Sequence, residues 1–271
     1  MTKNNDTKTR KAGTSSLRVL PRRAKILAPL LLIPLVVAAT GGSIQNVWAE
    51  KETLLDDDSE EWKNDSSGYD SPDGVWTIKH PGHGFAEVDD GVMKLHPKLD
   101  DSDRHSTLVT ARDVDWKGIH GQMKVRLDKQ SDDPKNWDSF WAMLAYVDQT
   151  THISLLIKTD DGGWQVVKRD HDHEGKDLHE VLAKGDEISE ADKDHWYKVE
   201  WWIKPDGDDL HIKVKVDGKT LMDKDDNGHW DRDGDEGDGT SSHFLKGDKT
   251  FGAYCEKSYT SWKDITLESM D

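Results

Sequence analysis

The densest run of chemically competent side chains lies between Asp223 and Asp235, reading DKDDNGHWDRDGD. Asp223, Asp225, Asn227 and Gly228 match the D-x-[DN]-x-[DN]-G spacing, in which alternate side-chain oxygens converge on Ca2+ and the glycine permits a sharp turn. Asp231 takes the ninth position, but Gly234 stands at the twelfth, where a complete helix–loop–helix calcium site has a bidentate glutamate. No helical periodicity flanks the run. The pattern is therefore either a calcium loop inserted between strands, its shell completed by Asp233 or Asp235, or an acidic loop facing solvent. Calcium is the candidate cofactor, because it would offset the mutual repulsion of the carboxylates and order a loop that is long for a compact domain.

A second constellation lies in the stretch from Trp137 to Arg169, WDSFWAMLAYVDQTTHISLLIKTDDGGWQVVKR. Three alternating apolar runs are separated by two turn signals, Asp148-Gln149-Thr150-Thr151 and Asp160-Asp161-Gly162-Gly163, which is the pattern of antiparallel strands joined by hairpins. Strict alternation places Phe140, Ala142, Leu144 and Tyr146 on one face and Trp137, Ser139, Trp141 and Met143 on the other. It likewise separates Ile153, Leu155 and Ile157 from His152, Ser154, Leu156 and Lys158. The mixed face offers Trp137, Trp141, His152 and Lys158, with Trp164 nearby. Sugar rings present apolar C–H faces that stack on aromatic rings, while their hydroxyls need polar partners, so this face is a candidate carbohydrate surface. The alternative is that its tryptophans belong to a core, where large aromatics mostly reside.

Other candidates are weaker. His105, between Arg104 and Ser106, starts a strand and is a candidate ligand contact. His171-Asp172-His173-Glu174 could hold a transition metal or be a solvated loop. His80 and His83 flank a Pro-Gly turn. Cys255 is the single cysteine, so an intramolecular disulfide and a zinc–cysteine site are both excluded. It lies in the strand-like FGAYC, where a free cysteine reads as a small buried apolar residue.

The elements that must position these groups are short strands. A turn at Ser71-Pro72-Asp73-Gly74 precedes Val75–Ile78. Phe85–Val88 and Val92–His96 form a hairpin across Asp89-Asp90-Gly91, and Thr107–Thr110 follows. Gln122–Asp128 alternates strictly, with Met123, Val125 and Leu127 inward. After the meander, His195–Ile203 and Leu210–Val216 pair across Pro205-Asp206-Gly207. Asp217-Gly218 then leads into Thr220–Met222, and Phe251–Glu256 and Trp262–Leu267 close the chain. Trp201-Trp202 puts one ring on each side of a strand. About a dozen strands without a helical period predict an all-β fold, a two-sheet antiparallel β-sandwich.

Composition narrows the partners. The 271 residues carry a formal net charge of −17. Residues 1–49 hold eight of the 37 basic and one of the 54 acidic residues, so the remainder carries −24. A field of that sign repels phosphate backbones and disfavours nucleic acid as a partner. Residues 1–25 are polar and basic and are followed by the apolar, uncharged Ile26–Thr40 and the small residues before Glu50. That is the arrangement of a secretory signal cleaved after Ala49, with an uncleaved membrane anchor as the alternative. Either way the rest of the chain lies outside the cytoplasm, secreted or at the cell surface. The acidic, apolar-poor residues 50–70 read as a linker or loosely tied lead-in, and residues 71–271 as the sandwich domain.

The succession SPDGVWTI, EVDDGVMKLHP, HSTLVT, the tryptophan-rich meander, HWYKVEWWI, LHIKVKVDGKTL and FGAYCEKSYTSWKDITLE resembles the concanavalin A-like lectin/glucanase superfamily over about residues 71–268. Within it the chain is most similar to secreted domains grouped with 3-keto-disaccharide hydrolase and family-16 glycoside hydrolase relatives. The resemblance implies a jelly roll, a fold that hosts lectins, hydrolases, lyases and modules without ligand. Retaining glucanases of family 16 share an E-x-D-x-E strand; here Glu87-Val88-Asp89 runs into the turn Asp90-Gly91. The Arg, Gln-x-His and Tyr-x-Lys motifs of jelly-roll alginate lyases are also missing. The expectation is thus an exported carbohydrate-binding protein with a polysaccharide or other glycan as partner. A glycan-degrading enzyme and a structural envelope protein are the alternatives.

Overall fold

Short alternating strands bury one face each, so they must assemble into sheets that cover one another. The structure, a computed structural model, describes residues 53–56, 60–99, 106–112, 114–115, 118–132, 138–158, 163–169, 179–188, 191–227 and 248–270. All regular elements among them are strands. The first eight are β1 (Thr53–Asp56), β2 (Trp62–Asn64), β3 (Tyr69–Asp70), β4 (Trp76–His80), β5 (Phe85–Asp89), β6 (Val92–His96), β7 (Ser106–Ala111) and β8 (Val114–Asp115). The long central strands follow: β9 (Ile119–Gln130), β10 (Ser139–Asp148), β11 (Thr151–Lys158), β12 (Trp164–Arg169) and β13 (His179–Gly185). The chain ends with β14 (Tyr197–Asp206), β15 (Asp209–Val216), β16 (Lys219–Asp226), β17 (Asp248–Glu256) and β18 (Ser258–Ser269).

The strands form two antiparallel sheets. One has the order β16-β15-β14-β9-β18-β6-β5-β2 with β1 against β18, and the other β13-β12-β11-β10-β17-β7-β4-β3 with β8 against β17. The predicted two-sheet antiparallel β-sandwich is what forms. The β5–β6 hairpin turns through Asp90 (φ 52°) and Gly91 (φ 67°), and β15–β16 through Asp217 (φ 50°) and Gly218 (φ 79°). Both central residues of each turn are left-handed, matching the right-handed twist of the paired strands.

Three expectations change. Residues 50–70, read as a linker, contribute β1, β2 and β3, because Trp62 buries its ring in the core and packs against Tyr69 at 5.7 Å between centroids. The hairpin read across Pro205-Asp206-Gly207 turns one residue later. Pro205 and Asp206 still pair with Leu210 and Asp209, and the turn is Gly207-Asp208. The strand read as Thr220–Met222 runs on to Asp226, in register with β15.

Phe251 is the hub of the core between the sheets. Its ring lies 5.6 Å from Trp201, 6.1 Å from Trp262 and 6.4 Å from Trp76, mostly in tilted or edge-on arrangements that suit aromatic quadrupoles. Trp201 reaches this hub because β9 presents Gly121 opposite it; a Cβ there would overlap the indole ring. Trp202, one residue on, faces outward, stacks on His120 at 4.7 Å and lies under Lys215, so of the Trp201-Trp202 pair one ring is core and one is surface. Cys255 is fully buried in the same core, and burial pushes its thiol pKa up to about 12.

Some buried positions are ionic, Lys168, Glu180, Asp226 and Lys249 among them. Lys168 on β12 follows the parity of Trp164 and Val166 into the sandwich, where its ammonium donates to both oxygens of Asp226, at 2.7 and 2.9 Å. Asp226 is the last residue of β16 in the opposite sheet, and the two residues are 1% and 3% exposed. The pair therefore ties an edge of one sheet to the other. Removing one partner of such a buried pair strands the other charge. Asp226→Ala is expected to cost about 3–5 kcal/mol in urea denaturation, while Lys168→Met combined with Asp226→Leu recovers most of that loss.

Candidate functional site

The outer face of the second sheet is built around an irregularity in β10. Met143 pairs with Ser154 and Ala145 with Ile153, so the register shifts by one residue at Leu144. Such a bulge reverses the side-chain phase. Leu144 and Ala145 both point into the core, and Tyr146 emerges on the outer face beside Met143. Strict alternation had assigned Tyr146 to the core face with Phe140; the extra residue overturns that. Tyr146 and Met143 pack with Leu108 of β7, flanked by Trp141 and Tyr254.

These residues wall a cavity of about 330 Å³. Its floor and sides come from adjacent strands of one sheet: β12 supplies Arg169, β11 His152, β10 Trp141 and Tyr146, β17 Tyr254 and Glu256, and β4 His80. Trp141 meets Tyr254 edge-on at 5.7 Å, and Tyr146 stacks on His152 at 6.4 Å. The Tyr254 hydroxyl donates to Glu256 Oε2 at 3.0 Å. Burial, with the Glu256 carboxylate beside it, pushes the Tyr254 phenol far above its ordinary value, so it stays a proton donor. His80 Nε2 lies 3.1 Å from Ser106 Oγ, and burial holds this imidazole below the ordinary histidine value. A second cavity, of about 610 Å³, shares His80, Ser106 and Gln149 with the first and extends it past Pro81–His83. Both volumes lie in the range of ligand sites, roughly 300–1,000 Å³.

The residues predicted from sequence are distributed unevenly over this geometry. Trp141 and His152 line the cavity. Lys158 is on the same face of β11, opposite Ser139 at the far end of the strand, and outside the described lining. Trp164 is withdrawn from the outer face: it is 3% exposed, belongs to the inter-sheet core, and donates its indole N–H to Glu187 at 2.6 Å. Its strand turns Gln165, Val167 and Arg169 outward instead. Trp137, His105 and the His171–Glu174 run lie outside the described residues.

Sequence reading missed Arg169, Tyr254, Glu256 and Tyr146. For Tyr254 and Glu256 a signal existed, since an inward Cys255 puts its two neighbours outward together. His80 was noted only as a turn-flanking histidine. Among the described lining residues Glu256 is the one carboxylate.

The described part of the calcium pattern does not fit a metal loop. Asp223 and Asp225 stand on β16 directly across from Lys213 and His211. Lys213 Nζ lies 2.5 Å from Asp223 Oδ2, and His211 Nδ1 lies 2.7 Å from Asp225 Oδ1. The Lys213 ammonium holds the Asp223 carboxyl below its ordinary value. Asn227 follows the strand end, and Asp231, Asp233 and Asp235 lie outside the described residues. Among the described residues no group of three or more His, Cys, Asp or Glu could hold a metal ion.

No protein-family model matches this chain, and no curated protein matches it. Solved structures similar to it include the Ca2+/Man3GlcNAc-bound exoplasmic/lumenal domain of VIP36, with 11% identity and a TM-score of 0.44 over 73% of this chain and 85% of that one. The metal-free carbohydrate recognition domain of Emp46p has 11% identity and a TM-score of 0.47 over 71% and 87% of the two chains. A legume lectin-like domain from Entamoeba histolytica has 13% identity and a TM-score of 0.42 over 73% and 91%. At this distance the likenesses carry no argument about this chain's ligand. The narrower resemblance to 3-keto-disaccharide hydrolase and family-16 relatives gains no support from them.

The half-buried His80 ties the stability of this region to pH. At neutral pH it is uncharged in the fold. As pH falls below about 6.5 the unfolded chain takes up this proton first, so the site's contribution to stability is lost between that value and the lowered folded one. In urea titrations at pH 7.5 and 5.5, His80→Gln is expected to lose less stability on acidification than the parent protein. An equal loss in both would remove His80 as a source.

Proposed function

We propose that this protein binds carbohydrate in the cavity on the outer face of the second sheet, and that it does so outside the cytoplasm, with residues 1–49 serving as export signal or anchor. The observation that carries the reading is the lining itself. Trp141, Tyr146 and Tyr254 supply aromatic surface for the C–H faces of a sugar. The Tyr254 hydroxyl, Glu256, His80, Gln149 and His152 surround it with donors and acceptors for hydroxyls. An aromatic patch with convergent polar groups is the ordinary composition of a small-molecule site. The continuity with the second cavity favours an oligosaccharide or a stretch of polysaccharide over a single ring. The acidic chain suits a glycan better than nucleic acid, as its field repels phosphate backbones.

Catalysis on glycosidic bonds needs two carboxyl groups roughly 5–9.5 Å apart. Glu256 lines the first cavity and Asp65 the second; the aromatic lining is what favours binding. Calcium enters it only through Asp231, Asp233 and Asp235.

The test incubates the full-length protein with a panel of insoluble polysaccharides, with Ca2+ or with chelator, and assays both retained protein and newly released sugar ends. Retention without release is the expected result. Trp141→Ala should weaken retention by about tenfold or more, as loss of a stacking partner worth about 1.5 kcal/mol implies, with thermal melting recorded to separate binding from folding. Retention that Trp141→Ala leaves unchanged would move the site elsewhere. No retention on any polysaccharide would end the carbohydrate reading, and released ends would make the protein an enzyme. Loss of retention in chelator would bring a cation into the site.

A further inference from the structure

The cavity contains a cation, Arg169, that has no ion-pair partner among the described residues. Arg169 lines the wall at the end of β12. Its Nε is buried and has no hydrogen-bond partner, and its guanidinium makes no ion pair among the described residues. This is unusual in its setting. The chain has 54 acidic against 37 basic residues, so carboxylates are in excess. Other bases of the sandwich have found them: Lys168 pairs with Asp226, Arg126 with Asp128, Lys94 with Asp89 and Lys213 with Asp223. The one carboxylate in the described lining, Glu256, accepts instead from the Tyr254 hydroxyl.

A guanidinium has five donors in a fixed planar fork suited to bidentate recognition of carboxylate or sulfate oxygens. Holding one partly desolvated and unpaired costs free energy that an anionic ligand would return. The long-range field of the protein opposes anions, so random attraction of acidic polymers to this surface is not the expectation; the attraction has to be local to the cavity.

We propose that the ligand is an acidic glycan, whose carboxylate or sulfate group is held by Arg169 while a sugar ring packs on Trp141 and Tyr146. This deepens the carbohydrate reading and rests on it. The neighbouring groups agree. Burial keeps His80 uncharged at neutral pH, so Arg169 is the group that selects for charge. Tyr254 and Glu256 are left to read hydroxyls, a division of roles that would discriminate a sugar acid from its neutral parent.

The experiment uses matched pairs in titration calorimetry with the full-length protein at about 0.15 M salt, where the Debye length is about 8 Å and the overall negative field is screened. One pair is a uronic-acid oligosaccharide and its methyl ester; the other is a sulfated galactan oligosaccharide and its desulfated form. At least one acidic member should bind about tenfold or more tightly than its neutral counterpart, and which one does so identifies the anionic group. Arg169→Gln should abolish that preference, read as the ratio of acidic to neutral affinity within the variant, so that any general loss of binding cancels. Arg169→Lys, which keeps the charge but loses the fork, should retain part of it and covers the case in which the glutamine variant melts early. Equal binding of acidic and neutral members overturns this proposal and leaves the carbohydrate reading standing. A preference that survives Arg169→Gln places the anion elsewhere and also overturns it. Binding of none of the four overturns this proposal, and with the polysaccharide panel also negative it ends both readings.

Discussion

Side chains on a β-strand alternate with a period of two, so a strand that faces a closed core on one side has no freedom in what it shows on the other. β10 must do both tasks. It lies between β11 and β17 in the middle of its sheet, with Phe140, Ala142 and Leu144 sealing the sandwich. A single inserted residue relaxes the constraint. With Leu144 and Ala145 both turned inward, the strand keeps its apolar contact with the other sheet and also delivers Tyr146 to the side occupied by Trp141 and Met143. The aromatic wall of the cavity depends on that reversal, and so does the stacking of Tyr146 on His152, its partner across the ladder.

Charge is organised by the same geometry. The first sheet turns an outer face to solvent on which lysines, arginine and carboxylates alternate, with Arg126 and Lys263 over the Trp196 ring at 4.7 and 4.3 Å. These are half-buried surface contacts, each of modest weight. The second sheet behaves differently. Consecutive residues Lys168 and Arg169 go to opposite faces of β12. Lys168 enters the sandwich because Asp226 waits across the gap between sheets, and Arg169 is thereby committed to the cavity. One buried ion pair thus both tethers β16 and fixes which of two adjacent bases faces the cavity.

The strands and their pairing were largely legible in the sequence because alternation and Asp-Gly turns are local signals. The site was legible only where alternation held. Trp141 and His152 lie before and after the bulge on strands whose outward parity could be read directly. Tyr146 could not be placed, since nothing in WAMLAYVD announces that Leu144 and Ala145 share a face. Trp164 was misjudged for a related reason: in WQVVKR either parity leaves one base inside, and only the partner on a distant strand decides between them. Trp62 and Tyr69 show the same limit at the lead-in, where two aromatic residues are enough to draw an otherwise acidic segment onto the sandwich.

The acidic run at Asp223 shows why spacing alone misleads about metals. In a calcium loop, oxygens at alternate positions point inward because the backbone curls around the ion. In a flat strand, alternate positions point the same way because of the pleat. Both produce D-x-D. What separates them is the opposite strand. β15 reads LHIKVKV, and its antiparallel register sets His211 against Asp225 and Lys213 against Asp223. The cross-strand Lys213–Asp223 ion pair and the His211–Asp225 contact stabilise that register, so the two described carboxylates of the pattern, Asp223 and Asp225, already have side-chain partners. Asp226 obeys the same alternation in the other direction and goes inward to Lys168. The described part of the run within β16, residues 223–226, is thus a strand whose odd and even carboxylates answer two different sets of bases.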